Sequence, residues 1–402
     1  MSAPLDIVVI GPSRHPIRQP HAGGLESAVW NLVRMLRSRG HRVRLIAVAG
    51  SDFLDDGPSE FVLPPADWAE HEAENDTDYP VGHPERAGAA LNRALDLLVA
   101  EGDRIDAIAN HSLHPLPLRR AVELGAPMLT TLHTPVLPEL VAAHAAAERA
   151  VSATAELAQA SAGHAVGHAT GRRSRFVAVS EHTRAEWARA GIESSVLPNG
   201  IDDTDWPLGS ASRHGLVWSG RLVPEKGAHL AIDVARRLGQ PLTLVGRIGD
   251  PEYARREVLP LLGDDIRYAG VLAQPALAAL VGRSAVALVT PVWQEPFGLV
   301  VPEALLCGTP VAAFAIGGIP EIAACTRGVR TAPVGDIDAL AGATRELLEA
   351  TDAPARAGIR ADAVRHYALV NQVARLEQLY RQPDRQPDIQ PDRQPDERRS
   401  AA

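Results

Sequence analysis

The feature that most constrains this chain is the stretch from Val289 to Pro320, VTPVWQEPFGLVVPEALLCGTPVAAFAIGGIP. The apolar run Ala285 to Thr290 predicts a buried strand. A loop with Glu295, Pro296, Phe297 and Gly298 follows it. A helix is predicted from about Leu299, with Pro302 tolerated in its first turn and Gly308 as its stop. Pro310 to Ala315 reads as the next strand, ending at Gly317 and Gly318. This order commits the region to a βαβ layer.

Glu295 falls in the loop and Glu303 in the opening turns of the helix. Between them lie backbone N–H groups without intrahelical partners, at the positive end of the helix dipole, where an anion is favoured. The two carboxylates cannot hold a phosphate, but they accept hydrogen bonds from hydroxyls. Polyol, phosphate and polyol in that order describe a nucleotide-sugar. The plainer reading is a strand–helix–strand unit with two solvated glutamates. The flanking Trp293, Pro296 and Phe297 argue against it.

E-P-F-G-L-V-V-P-E-A, followed by G-T-P-V and G-G-I-P-E, resembles the glutamate-pair signature of retaining glycosyltransferases of family 4. The resemblance implies the GT-B architecture: two Rossmann-like α/β domains with parallel sheets facing across a cleft, and a C-terminal helix crossing back to the first domain. It extends to G-R-L-V-P-E-K-G at Gly220 to Gly227. There Arg221 and Lys226 bracket a turn after the predicted strand Leu216 to Ser219. Two cations at such a strand end suit a diphosphate, Arg as a planar fork and Lys as a point charge.

The 402 residues suffice for two domains, and the 46% hydrophobic content for sizeable cores. The resemblance implies an acceptor domain over residues 1–198 and a donor domain over 199–363. Residues 364–380 would form the returning helix. P-N-G-I-D at Pro198 to Asp202 resembles the family's hinge between domains. A net charge of −9 argues against nucleic-acid binding. No apolar run is long enough to span a bilayer. The N-terminus lacks a secretory signal, so a cytoplasmic protein is expected. Cys307 and Cys325 share no metal-ligand spacing and read as buried thiols.

In the first half, Leu5 to Ile10, a helix after Gly23 and Gly24, and His41 to Val48 form a βαβ unit. The glycines do not spell G-x-G-x-x-G, so a nicotinamide enzyme is not indicated. By resemblance, Gly23 and Gly24 let the backbone approach the donor. Arg34, Arg37, Arg39, Arg42 and Arg44 cluster here. A solvated face is the preferred reading, and peripheral contact with anionic lipid the alternative. Residues 51–84 read as an irregular surface excursion.

His111, His114 and His133 follow strands predicted at Ile105 to Asn110 and Pro127 to Leu132. Ligands bind at the carboxyl ends of such strands. T-L-H-T-P at His133 resembles the family segment whose histidine faces the donor sugar. His111 and His114 read as ordinary strand-end histidines. His164 and His168, in the Ala-rich helical segment 139–168, lack a third ligand, and no metal is assigned. Ser180 reads as an N-cap. Asp202 to Asp205, with its Asp-x-Asp, reads as a solvated linker. The helical pattern from Ala355 to Tyr380 is expected to break at Gly358. The proline repeat from Arg381 onward is expected to be disordered.

The resemblance implies transfer of a hexose-type sugar from a nucleoside diphosphate sugar, with UDP favoured and GDP as the other base. The acceptor would be a small molecule, a glycan or a lipid-linked compound, and no cofactor is implied. Glu295, His133, Arg221 and Lys226 would act at the reacting centre. Gly298, Leu299 and Val300 would face the diphosphate through backbone N–H groups, and Glu303 the ribose. The backbone at Val271 and Leu272 would meet the base. An epimerase of the same architecture and a non-catalytic nucleotide-sugar binder are the alternatives.

Overall fold

The computed structural model describes residues 3–68, 75–76, 78–161, 174–209 and 213–382. Two wholly parallel sheets organise it. The first contains β1 (Asp6–Ile10), β2 (Arg42–Val48), β3 (Val62–Leu63), β4 (Ala107–Asn110), β5 (Met128–Leu132), β6 (Arg175–Ala178) and β7 (Ser195–Val196). The second contains β8 (Leu216–Ser219), β9 (Leu242–Val245), β10 (Ile266–Tyr268), β11 (Val286–Val289), β12 (Val311–Phe314) and β13 (Val329–Ala332). The orders are β3-β2-β1-β4-β5-β6-β7 and β10-β9-β8-β11-β12-β13. Each is the doubly wound arrangement, whose order reverses beside the first strand of the sheet and opens a crevice there. Helices cover both faces, so the inner strand β12 is apolar along its length and β1 is apolar after Asp6.

The two chain crossings between lobes run side by side. Ile201 N–H donates to Tyr367 O at 2.8 Å, and Leu369 N–H donates to Ile201 O at 2.8 Å. A Cβ on Gly200 would stand 2.8 Å from Leu369 Cα, so glycine permits this close pairing. The helix Ala353–Tyr367 passes uninterrupted through Gly358. The chain breaks at Ala368 instead, where φ −58° and ψ 127° leave the helical region. Val364 still packs in the second-lobe core. The returning helix is therefore Leu369–Arg381, shorter at its start than the 364–380 expected. Its Leu369, Val373 and Leu376 share one core cluster with Val29 and Leu36 of the first lobe. Glu377 fastens it further, accepting from Arg39 Nε at 2.6 Å and from Arg39 Nη2 at 2.8 Å. Those bonds hold the Glu377 carboxyl down at about 2, against the opposing effect of burial.

The arginines of the first-lobe basic cluster are paired with carboxylates, although Arg39 and Arg42 stay exposed. Arg34 reaches Asp202 and Asp205 at 2.8 and 2.6 Å, Arg37 reaches Asp56 at 3.0 Å, and Arg39 reaches Glu377. Arg42 and Arg44 share Asp6, and Arg44 also reaches Glu101. The charge left for a lipid surface is correspondingly reduced. Asp202, expected in a solvated linker, is buried, and Thr204 donates to it through both N–H and Oγ1. Cys307 is buried as expected, whereas Cys325 is exposed, with its sulfur 3.1 Å from Tyr367 Oη. No helix among the described residues is long and apolar enough to cross a membrane. His164, His168 and the repeat from 383 onward lie outside the described residues.

Candidate active site

A cavity of about 750 Å³ opens between the carboxyl ends of the two sheets. The first lobe brings Gly23, Gly24 and His133 to its wall. From the second come Arg221, Lys226, Val271, Leu272, Glu295, Gly298, Leu299, Val300 and Glu303. All twelve candidates named from the sequence therefore face one space. Gly24 meets the opposite lobe closely, since a Cβ there would stand 3.0 Å from Leu299 Cδ1.

Glu295 and Lys226 pair on the second-lobe wall. Lys226 Nζ donates to Glu295 Oε2 at 2.5 Å, and Trp293 Nε1 donates to the same oxygen at 2.9 Å. The Lys226 ammonium lies 5.1 Å from the Trp293 ring centroid, within cation–π range. Two glycines make the arrangement fit. Gly317 adopts φ +61°, and a Cβ there would fall 1.9 Å from Glu295 O. Gly227 adopts φ +64°, and a Cβ would fall 2.2 Å from Thr290 O. Thr290 Oγ1 donates to Gly227 O at 2.8 Å, tying the Lys226 turn to the end of β11.

Arg221 is engaged by a residue the sequence reading passed over. Its Nη1 donates to Asp76 Oδ2 at 2.5 Å, and Arg247 Nη2 donates to Asp76 Oδ1. His15 Nε2 stands 3.5 Å from the same Oδ1. Burial alone would raise the Asp76 carboxyl. Hydrogen bonds from His15, Arg247 and Arg221 outweigh that and hold it well below the usual carboxylate range. Asp76 belongs to the 51–84 excursion, so this segment reaches into the cleft instead of only covering the surface. Its N–H also donates to Gly249 O at 3.0 Å. Arg247 could have been suspected from its place just after β9, whereas nothing in the acidic run around Asp76 marks it.

The helix after Glu295 is only Val300–Leu306, shorter than a strong macrodipole argument requires. Val301 N–H bonds Gly298 O and Glu303 N–H bonds Leu299 O. The N–H groups of Gly298, Leu299 and Val300 therefore precede the intrahelical ladder. Burial pushes the Glu303 carboxyl up to about 7. Val271 is half exposed, while Leu272 packs against the second-lobe core.

Ser180 does more than cap. It accepts from Thr183 N–H at 3.1 Å and donates to Pro296 O at 2.6 Å, across the lobes and next to Glu295. Glu321 completes the joint, accepting from Glu181 N–H at 2.8 Å and His182 N–H at 2.7 Å. On the first-lobe wall, His111 Nδ1 and His133 Nε2 share a hydrogen bond of 2.8 Å. His111 therefore has a side-chain partner that its strand-end reading did not foresee.

Two parallel-sheet lobes joined by paired crossings, with a returning C-terminal helix, define a protein of the GT-B architecture. Residues 22–205 match Glycosyltransferase Family 4, and residues 211–364 match Glycosyl transferases group 1. The chain belongs to this glycosyltransferase family. It is 38% identical over 143 residues to glycogen synthase of Mycobacterium tuberculosis, covering 32% of this chain and 33% of that one. It is 34% identical over 119 residues to 2-deoxystreptamine N-acetyl-D-glucosaminyltransferase of Streptomyces fradiae, covering 28% of each. The matched segment is thus a third or less of either relative's length. Among solved structures, sucrose-phosphate synthase from Thermosynechococcus elongatus aligns with a TM-score of 0.69 at 20% identity, over 94% of this chain and 98% of that one. Anabaena Alr3699/HepE, solved in complex with UDP, aligns with a TM-score of 0.66 at 18% identity, over 93% and 99%. At these identities the structural likeness concerns the fold.

Proposed function

We propose that this protein transfers a hexose-type sugar from a nucleoside diphosphate sugar, UDP before GDP, to an acceptor on the first lobe, with retention at the anomeric carbon. The carrying observation is the meeting of Arg221, Lys226, Glu295 and Glu303 on one cavity wall, opposite His133. Without donor, each cation has a carboxylate substitute: Asp76 for Arg221 and Glu295 for Lys226. The donor diphosphate takes over both cations. Glu295 is then free to accept from sugar hydroxyls, and Glu303 accepts from the ribose.

In the reaction, the bond from the anomeric carbon to the diphosphate oxygen breaks and a bond to the acceptor oxygen forms on the same face. The acceptor proton passes to the departing phosphate oxygen. Negative charge grows on the diphosphate, where Arg221, Lys226 and the N–H groups at Gly298 to Val300 meet it in a partly dry site. Neutral His133 offers the sugar a hydrogen bond without adding positive charge beside the oxocarbenium. The UDP complex of Alr3699/HepE supports a nucleotide donor for the shared fold.

Incubation with UDP-, GDP- and ADP-sugars and a mixed acceptor panel tests this reading. One donor is expected to release free nucleoside diphosphate in step with a glycoside of unchanged anomeric configuration, read from the anomeric proton coupling. An inverted product, or an isomerised sugar nucleotide with no diphosphate release, contradicts it.

A further inference from the structure

The contact between His111 and His133 is built into the sheet. Both histidines follow neighbouring strands, β4 and β5, whose register pairs Asn110 with Thr130. Asn110 Nδ2 donates to Thr130 Oγ1 at 3.1 Å, and Asn110 Oδ1 accepts from Ser112 N–H and Oγ at 3.2 and 3.0 Å. His111 N–H donates to Ile10 O at 2.8 Å. On the other side, Trp187 Nε1 donates to Thr134 O at 2.9 Å. Backbone on both sides of the contact is thus pinned. The two rings are tilted by 35° with centroids 5.1 Å apart, which suits an edge nitrogen contact better than stacking.

The rings are not equivalent. His133 lines the cavity, and His111, buried, stands behind it. Burial lowers His111 to about 4, and burial with the neighbouring His111 holds His133 well below its ordinary value, so both are neutral near pH 7. A neutral imidazole has one donor and one acceptor nitrogen. At the shared contact one ring donates and the other accepts. If His133 Nε2 accepts, its Nδ1 carries the proton and is a donor. If Nε2 donates, Nδ1 accepts. The contact therefore couples the role that His133 Nδ1 presents to the position of the proton on His111, much as a partner hydrogen bond sets the reactive nitrogen of other functional histidines.

We propose that His111 is a positioning residue for the transfer reaction: through Nδ1 it fixes the orientation and tautomer of His133 against the donor sugar. This rests on the glycosyl-transfer reading given above, and the experiment separates the two. His111→Phe keeps a buried ring but no nitrogen. His111→Asn places an amide near the position of Nδ1.

With the donor and acceptor found active, His111→Phe is expected to lower kcat by about 10- to 100-fold. Nucleoside diphosphate affinity by calorimetry should stay within twofold, and His111→Asn should recover most of the rate. Imidazole nitrogen shifts of 15N-labelled protein give a readout that needs no turnover. The wild type should show His133 in one neutral tautomer, and His111→Phe a mixture. Wild-type kcat in His111→Phe, no recovery in His111→Asn, or exchanging His133 tautomers in the wild type each overturn the proposal. A single tautomer without transfer of any sugar would keep the His111 assignment and remove the reaction it serves.

Discussion

Lys226→Met is expected to fold normally and to lose roughly 100-fold or more in kcat, with a smaller change in KM. Methionine keeps most of the unbranched stem beside Trp293 and removes the ammonium, with its charge and its hydrogen bond to Glu295. The ammonium stands 2.5 Å from Glu295 in the free protein, so its charge is already directed into the cleft. On turnover it meets a leaving diphosphate whose charge grows toward the transition state. An interaction that strengthens along this path lowers the barrier more than it tightens the ground state. The substitution also leaves Glu295 facing the cavity without its cation, so Lys226→Met and Glu295→Gln combined should cost less than the sum of the single effects. Steady-state kinetics of the three variants, beside their melting temperatures, measure this. A kcat within threefold of wild type for Lys226→Met would remove the lysine from the mechanism.

Glu303→Gln should change stability and function in opposite directions. Burial raises the Glu303 carboxyl to about 7 from an ordinary value near 4.5. Between those values the folded protein holds a proton that the unfolded chain has released, so stability falls as pH rises through that interval. It is fully present below 4.5 and lowest above 7. The penalty at pH 8 is of the order of 3 kcal/mol in the ligand-free protein. Glutamine carries no such penalty, so the variant should melt above wild type at pH 8, with the gap closing toward pH 4.5. Nucleotide affinity should move the other way, weakening about tenfold, because a carboxylate is the stronger acceptor for ribose hydroxyls. Wild-type affinity should itself decline as pH falls below 7 and Glu303 takes up its proton. A variant less stable than wild type at pH 8 would contradict the assignment of Glu303 as a carboxylate held for a ligand at the cost of stability.

Much of this was legible in the sequence because parallel strands covered on both faces are short continuous apolar runs. Leu216 to Ser219 was bounded correctly for that reason. The strand Val329–Ala332 was missed because Arg330 and Thr331 are exposed between buried ends, so its run is broken. The break in the last long helical pattern falls at Ala368, a good helix former, and not at Gly358. Tertiary pairing with Ile201, rather than local propensity, places it there. The glutamate and lysine positions could be read from their motifs, but their partners could not. Arg221 and Asp76 lie 145 residues apart, and no local pattern links them. The same holds for Ser180 with Pro296 and Arg34 with Asp202, contacts created by the way the lobes meet.

The central claim is a single diphosphate pocket shared by the two cations of the second lobe. A crystal structure with a bound nucleoside diphosphate, UDP first, tests it most directly. The account predicts phosphate oxygens within about 3 Å of both the Arg221 guanidinium and the Lys226 ammonium. It also predicts Arg221 released from Asp76 and the ribose hydroxyls on Glu303. A nucleotide bound outside the cleft, or inside it with Arg221 still on Asp76 and Lys226 still on Glu295, would contradict the account.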